Sequence, residues 1–376
     1  MNNKVLFVST IPGFINRFLL PYLKWFKDHG YIVHVAYGGK MVDILYTDQH
    51  ILVPIERSPF RISNIHAYWQ LKRIIERENY SLIHCHTPMG GVIGRLAAKK
   101  ARLTMNVKVM YTAHGFHFFK GAPFYYWLTY YTMEWYLAHY TDALVTMNSE
   151  DYQLIQAHAF KSVANYMIPG IGINTERLVV SILERKVELR KEYGYNLEFI
   201  LIYIAEFIPR KNHKFFIDSL PDLVQKVPRV KMLFVGSGQL LEQMKRYAEE
   251  KHVSRYIDFL GYRSDVGALI ALSDVGISAS YHEGLPMNIS EEMYCGLPVI
   301  ASEVRGHTDI VLNGKNGYLY TINDRREFIS KVYMLSSNEE LRMKLSKQAK
   351  TGIQKYTIGN ALKEMEKIYN KYLSFY

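Results

Sequence analysis

The strongest constraint on this chain is a pattern that runs twice: an apolar, strand-like run, then a loop, then a helical periodicity. It opens with KVLFVS at residues 4–9, passes a loop containing Pro12-Gly13, and continues as a helical pattern from about Asn16 to His29. Gly30 ends that helix and YIVHVAY begins the next strand. The unit recurs through SLIHCH (81–86), VKVMYTA (107–113) and DALVTM (142–147). Strands alternating with helices imply βαβ units and a parallel sheet. The pattern restarts at residue 199 with FILIYIAEF, followed by a helix from about Asn212 to Val227. VKMLFVGSG (230–238), IDFLGY (257–262), DVGISAS (274–280) and PVIAS (298–302) come next, and the chain from about Asn338 reads as helices. Two doubly wound α/β lobes are therefore predicted, joined near the Pro/Gly-rich IPGIGIN at 168–174, which ends the last strand of the first lobe. A length of 376 residues suits about two domains. In such sheets ligands bind at the carboxyl ends of the strands, so facing lobes would place a cleft there.

Composition narrows the classes. Hydrophobic content of 49% and charged content of 22% are those of a globular chain. The two cysteines, Cys85 and Cys295, give no disulfide framework and suit a reducing cytoplasm. The stretch from Val5 to Ile15 is apolar, but Pro12-Gly13 interrupts it and no small-residue cleavage site follows, so it does not read as a secretory signal. No uncharged apolar run is long enough to span a bilayer. The net charge is +11, and residues 1–170, with 17 Lys+Arg against 10 Asp+Glu, carry +7 of it. Such a balance suits phosphates or an anionic membrane surface; no nucleic-acid signature accompanies it, and no nucleic-acid partner is expected. Residues 116–140 hold 12 aromatics in 25 positions. That density fits either a core-packed aromatic helix face or a surface for membrane or a lipid acceptor.

The chemistry-bearing signals lie at predicted strand ends. Gly236-x-Gly238 lacks the third glycine of a dinucleotide fingerprint and reads as a strand-to-helix turn. Arg210 and Lys211 follow the first strand of the second lobe and precede a helix, where amides, dipole and two cations together suit a diphosphate, although a solvated basic turn has the same sequence. His114 follows VKVMYTA at the edge of the first lobe, with Gly115 allowing close backbone approach. His84 and His86 have no metal-ligand partners in the pattern, so no metal site is predicted. In HEGLPMNISEEMYCG, Tyr281 to Met287 is predicted as a loop, Asn288 to Cys295 as a short helix, and Gly296 as its C′ residue. The amides of Leu285 to Ile289 would point outward at the helix start. Glu283 and Glu291 cannot bind phosphate but accept hydrogen bonds from sugar and ribose hydroxyls. Phosphate donors beside hydroxyl acceptors fit a nucleotide-sugar.

With Glu283 and Glu291 spaced as E-x7-E in EGLPMNISEEM, the chain resembles the retaining nucleotide-sugar glycosyltransferases of family 4, which have the GT-B fold of two facing Rossmann-like lobes. HCHTPMGGVIGRLAA, YTAHGFHF, IPGIGINTERL, AEFIPRKN, LFVGSGQLL, FLGYRSDV and CGLPVIASEVRGHTDIV support the resemblance in order and spacing. It implies an acceptor-side lobe of residues 1–170, with the last helix, 357–376, packing back on it, and a donor-side lobe of 171–356. It implies that Glu291 binds the ribose, that Glu283 lies near the transferred sugar with Gly284, Leu285, Pro286, Met287 and Asn288 lining the donor, and that Lys211 with Arg210 binds the diphosphate. His114 would contact the donor sugar, and Gly13 would lie in the loop that approaches the donor phosphates. Two positions depart from the family pattern: Ala205-Glu206 stands where Gly-Arg is usual, and Pro12-Gly13-Phe14 where a Gly-Gly pair is usual. The implied reaction moves a hexosyl or N-acetylhexosaminyl group, from UDP-sugar by expectation, to a glycan or polyprenyl-diphosphate-linked acceptor, as in bacterial capsule, exopolysaccharide or O-antigen synthesis. The departing phosphate would help deprotonate the acceptor, without metal or cofactor, in the cytoplasm or at the inner face of its membrane. A sugar-nucleotide 2-epimerase and a non-enzymatic basic binding protein are the alternatives.

Overall fold

The computed structural model describes residues 3–175, 178 and 185–373. The chain divides into two compact units: one runs up to Gly172 and resumes at Ile358, and the other runs from Ile173 to Thr357.

The first unit is built on parallel strands β1 (Lys4–Val8), β2 (Ile32–Tyr37), β3 (Gln49–Leu52), β4 (Leu82–His86), β5 (Lys108–Thr112), β6 (Ala143–Thr146) and β7 (Ala164–Met167), in the order β3-β2-β1-β4-β5-β6-β7. The second has β8 (Phe199–Ile204), β9 (Val230–Val235), β10 (Ile257–Gly261), β11 (Val275–Ser278), β12 (Val299–Ser302) and β13 (Gly317–Tyr320), in the order β10-β9-β8-β11-β12-β13. In both sheets the order reverses beside the first strand, between β1 and β4 and between β8 and β11. Those reversals are where the connections part to opposite faces and leave a crevice at the strand carboxyl ends.

The strands are apolar on both faces because helices cover both. In β8, Leu201 and Tyr203 join Met232, Phe234, Phe216 and Leu220 on one side, while Ile200 and Ile202 join Leu233, Ile289 and Met293 on the other. In the first unit Leu6, Val8, Ile83 and Val109 pack against Leu71, Ile75, Ala97 and Ala101 from the helices Ser63–Glu78 and Pro88–Thr104. The final helix, Ile358–Tyr372, belongs to this unit: buried Tyr369 donates to or accepts from His84 Nδ1 at 2.9 Å, and Tyr372 donates to the Asp142 carbonyl at 3.0 Å.

Three sequence expectations are corrected. Strands β3 and β13 were not predicted; β7 is the strand that IPGIGIN was expected to end. The Pro12-Gly13 segment is not a loop but the first turn of a helix that runs on through a π-helical turn, Ile15–Leu19, into Leu20–Asp28. Pro at the first helical position suits its missing N–H. Pro21 further along cannot donate to the residue four back, and the wider π turn just before it absorbs that mismatch.

The aromatic segment packs into the core on one side and is exposed on the other. Phe116 and Phe118 are buried and stacked at 4.6 Å, and Trp127, Tyr130 and Tyr131 pack against the core. Phe124, Tyr125, Leu128, Met133, Trp135 and Tyr136 are exposed. The helical run is tied down by Glu134, which accepts from the fully buried Arg95 guanidinium at 2.7 Å; Arg95 in turn lies over the Tyr111 ring at 3.8 Å.

Candidate functional site

Both units concentrate polar side chains at the reversal of strand order. In the second unit the loop after β8 forms a 3-10 turn, Pro209–Lys211, and then enters the helix His213–Lys226 through Asn212, whose φ of +52° is tolerated by asparagine. That turn aims Arg210 and Lys211 at the loop after β11, which carries Glu283. Arg210 Nη1 donates to Glu283 Oε2 at 2.8 Å and to the His282 carbonyl at 2.9 Å, while Lys211 Nζ pairs with Glu283 Oε1. Glu283 is 6% exposed. Burial alone would raise its carboxyl pKa; the charges of Lys211 and then Arg210 outweigh burial and hold it well below the usual carboxylate range. Burial lowers the Lys211 pKa, opposed by Glu283.

The sequence separated these roles, giving the cations to a diphosphate and the acid to a sugar. The structure joins them: one carboxylate receives both cations. The trio keeps a net charge of +1, and Arg210 Nε and Nη2 have no partner among the described residues. Those donors suit an incoming oxyanion.

The loop continues through Gly284 and Leu285 to Pro286, the N-cap of the helix Met287–Tyr294, where no side chain caps the first turn. Its leading amides lack intrahelical acceptors by construction. Beside them the Asn288 side chain is buried with Nδ2 unpartnered among the described residues. Glu291 lies on the same helix and is 5% exposed. Gly296 takes φ +81° and closes that helix through the Leu297 N–H to Glu292 carbonyl bond.

Several residues that brace this loop escaped the sequence reading. Arg305 Nε donates to the Glu283 carbonyl at 3.0 Å, and the Glu283 N–H donates to the Arg305 carbonyl at 3.2 Å. Gly306 has φ +84°, and a Cβ there would come within 2.9 Å of Glu283 Cβ. His307 bridges Ser278 Oγ and the Ser302 carbonyl, and Tyr203 donates to the Lys211 carbonyl at 2.7 Å. The signal available was the compact Arg305-Gly306-His307 after β12. Gly236 and Gly238 are structural, as their turn predicted: a Cβ on Gly236 would lie 2.0 Å from the Ala205 carbonyl oxygen.

In the first unit, Thr10 after β1 and Thr87 after β4 are bonded Oγ1 to Oγ1 at 2.7 Å, and the Gly90 N–H donates to Thr10 Oγ1 at 3.1 Å. Thr87 holds φ +63°, a conformation that a β-branched residue keeps only when its surroundings impose it. His114 follows β5, half-buried, with Nε2 3.1 Å from His86 Nδ1 and with the Phe14 ring edge-on at 4.6 Å. Phe14 thereby brings the helix start at Gly13 next to His114. Among the described residues no group of His, Cys, Asp and Glu is arranged to hold a metal ion.

Residues 4–149 match the family Glycosyl transferase 4-like, and residues 185–352 match Glycosyl transferases group 1. The chain is 40% identical over 375 residues to EpsD of Bacillus subtilis (strain 168), a protein named as a glycosyltransferase, covering 99% of this chain and 98% of EpsD. It is 24% identical to the UDP-Gal:alpha-D-GlcNAc-diphosphoundecaprenol alpha-1,3-galactosyltransferase of Escherichia coli, covering 83% of this chain and 80% of that protein. The fold is similar to that of Anabaena Alr3699/HepE solved with UDP, at TM-score 0.80 and 18% identity, over 99% of this chain and 100% of that one.

Proposed function

Because the chain belongs to the group 1, GT4-like glycosyltransferases and has the GT-B fold, we propose that it transfers a sugar from UDP-sugar to a hydroxyl of a lipid-linked glycan, with retention, in building a surface polysaccharide. The observation that carries this reading is the Arg210–Lys211–Glu283 trio at the β8/β11 reversal, beside a helix start without a side-chain cap and an Asn288 amide with no partner among the described residues. The surplus cation and the amides would stabilise charge on the leaving diphosphate, which is the main electrostatic task in breaking the anomeric C–O bond. With both cations already tied to it, Glu283 orients them and leaves its remaining lone pairs to a sugar hydroxyl. Glu291 would hold the ribose, and His114 would contact the transferred sugar. Two fixed cations in place of a metal support a metal-independent transfer.

The lipid-linked acceptor is supported by the Escherichia coli relative's name and by the exposed aromatic face of residues 124–138 in a basic unit. The decisive experiment offers UDP-sugars with and without a polyprenyl-diphosphate-linked sugar. Product formed only with acceptor, with the donor's anomeric configuration by NMR and in excess chelator, is the expected result. Isomerised donor without acceptor would instead mean an epimerase, and loss of activity in chelator would remove the metal-independent part.

A further inference from the structure

The first unit holds a histidine to which the proposed reaction gives no task. His86, the last residue of β4, is 3% exposed, and its Nδ1 lies 3.1 Å from His114 Nε2. Its other ring nitrogen, Nε2, is buried with no hydrogen-bond partner among the described residues. The ring is held rigidly. Phe7 lies parallel to it at 5.9 Å, and His84 packs against it at 4.1 Å. His84 is itself fixed at both nitrogens, by Tyr369 and by Thr112 at 2.8 Å. The next residue, Thr87, is pinned to Thr10 in its left-handed conformation.

Burial keeps both members of the pair neutral: the His114 pKa falls to about 3 and the His86 pKa well below its ordinary value. Each ring then carries one proton, and a 3.1 Å contact needs one donor and one acceptor. If His114 donated, the His86 proton would sit on Nε2, a buried N–H with no acceptor among the described residues. If His86 donates, the unpartnered atom is a lone pair. Buried N–H groups without acceptors are the rarer and costlier case.

We infer that His86 is a positioning residue: it donates Nδ1–H to His114 Nε2 and so fixes His114 as the tautomer that carries its proton on Nδ1. Nδ1 of His114 has no partner among the described residues, so the pair presents a neutral, pre-oriented N–H donor. That donor suits a sugar oxygen and would repel a cation. The tautomer stands on the first unit's geometry; only its effect on turnover rests on His114 touching the transferred sugar.

The test is nitrogen-15 NMR of the histidine rings in the full chain near neutral pH. His114 is expected to be protonated at Nδ1 and bare at Nε2; a proton on Nε2 overturns the inference. His86→Leu should release that preference and lower kcat about 10-fold, the scale of one hydrogen bond, with KM for the donor little changed. His86→Asn, whose amide N–H can replace Nδ1–H, should restore most of both. A Leu variant with unchanged tautomer and kcat overturns the inference, as does failure of Asn to rescue in a folded protein. His114→Ala with full turnover would instead remove the sugar-contact reading and leave the wild-type tautomer result standing.

Discussion

Glu292 has no exposure, and both of its carboxyl oxygens are unpartnered among the described residues. It fills the space above Gly276, where a Cβ would lie 2.1 Å from its Oε2. Burial, and then the charge of Glu291, raise its pKa well above 4.5. The folded state therefore keeps a proton that the unfolded chain releases, so this group's effect on stability worsens as pH rises above 4.5. Glu292→Gln keeps the shape and removes the titration. Urea unfolding should show a gain on the order of 1 kcal/mol or more at pH 8 relative to wild type, fading toward pH 4. Glu283 acts with the opposite sign: its depressed pKa adds stability above 4.5 that is lost as pH falls through the depressed value. Lys211→Met leaves the buried Glu283 with Arg210 alone. We expect kcat/KM to fall about 10²-fold, with weaker protection by UDP in thermal melts. Turnover close to wild type would detach the trio from the reaction. At this scale the sequence supplied residue types and their order, but not their pairing. Nothing in EGLPMNISEE says that Glu283 will take both cations, because that depends on two loops from different strands meeting at one reversal.

Among the elements, most strands given bounds from sequence have continuous apolar runs, and the three left without bounds share a physical feature. QHIL, ANYM and GYLY form β3, β7 and β13, and each lies at the edge of its sheet. An edge strand has one neighbour, so short, polar or tyrosine-rich runs suffice; the fourth edge strand, β10, was legible because Ile257, Phe259 and Leu260 keep it apolar. Helix ends were legible where a glycine demanded it, as at Gly30 and Gly296, both with positive φ. The helix start at Pro12 was misread because Pro-Gly signals a turn in sequence but suits a first helical turn equally well. The turn after β9 gives a sharp check: Gly236→Ala combines a φ of +150° with the collision at Ala205 and should cost about 2 kcal/mol or more. On the aromatic run, Phe124→Ser with Leu128→Ser should reduce sedimentation with anionic liposomes at low salt while leaving the melting temperature within a few degrees. Binding that is unchanged, or that never occurs in wild type, would withdraw the membrane face from the proposal.

For the whole molecule, each unit has its own sheet and core, and the proposed donor residues other than Gly13 and His114 lie in the second. UDP at about 100 times its Kd should therefore add about 2.7 kcal/mol, and hydrogen exchange should slow first in residues 205–213 and 281–295. Slowing confined to the first unit would contradict the assignment.

The return of the helix Ile358–Tyr372 to the first unit has a consequence for the order in which the protein comes into being. As the chain leaves the ribosome, the sheet that starts first cannot be finished first. Tyr369, which closes over His84, emerges only after the entire second unit. The second unit is continuous in sequence and can fold during synthesis, while the first must wait with His84 lacking its Tyr369 partner. Chains released after residue 357 should therefore hold a well-formed second unit and a first unit prone to aggregate, a damage pattern set by translation order.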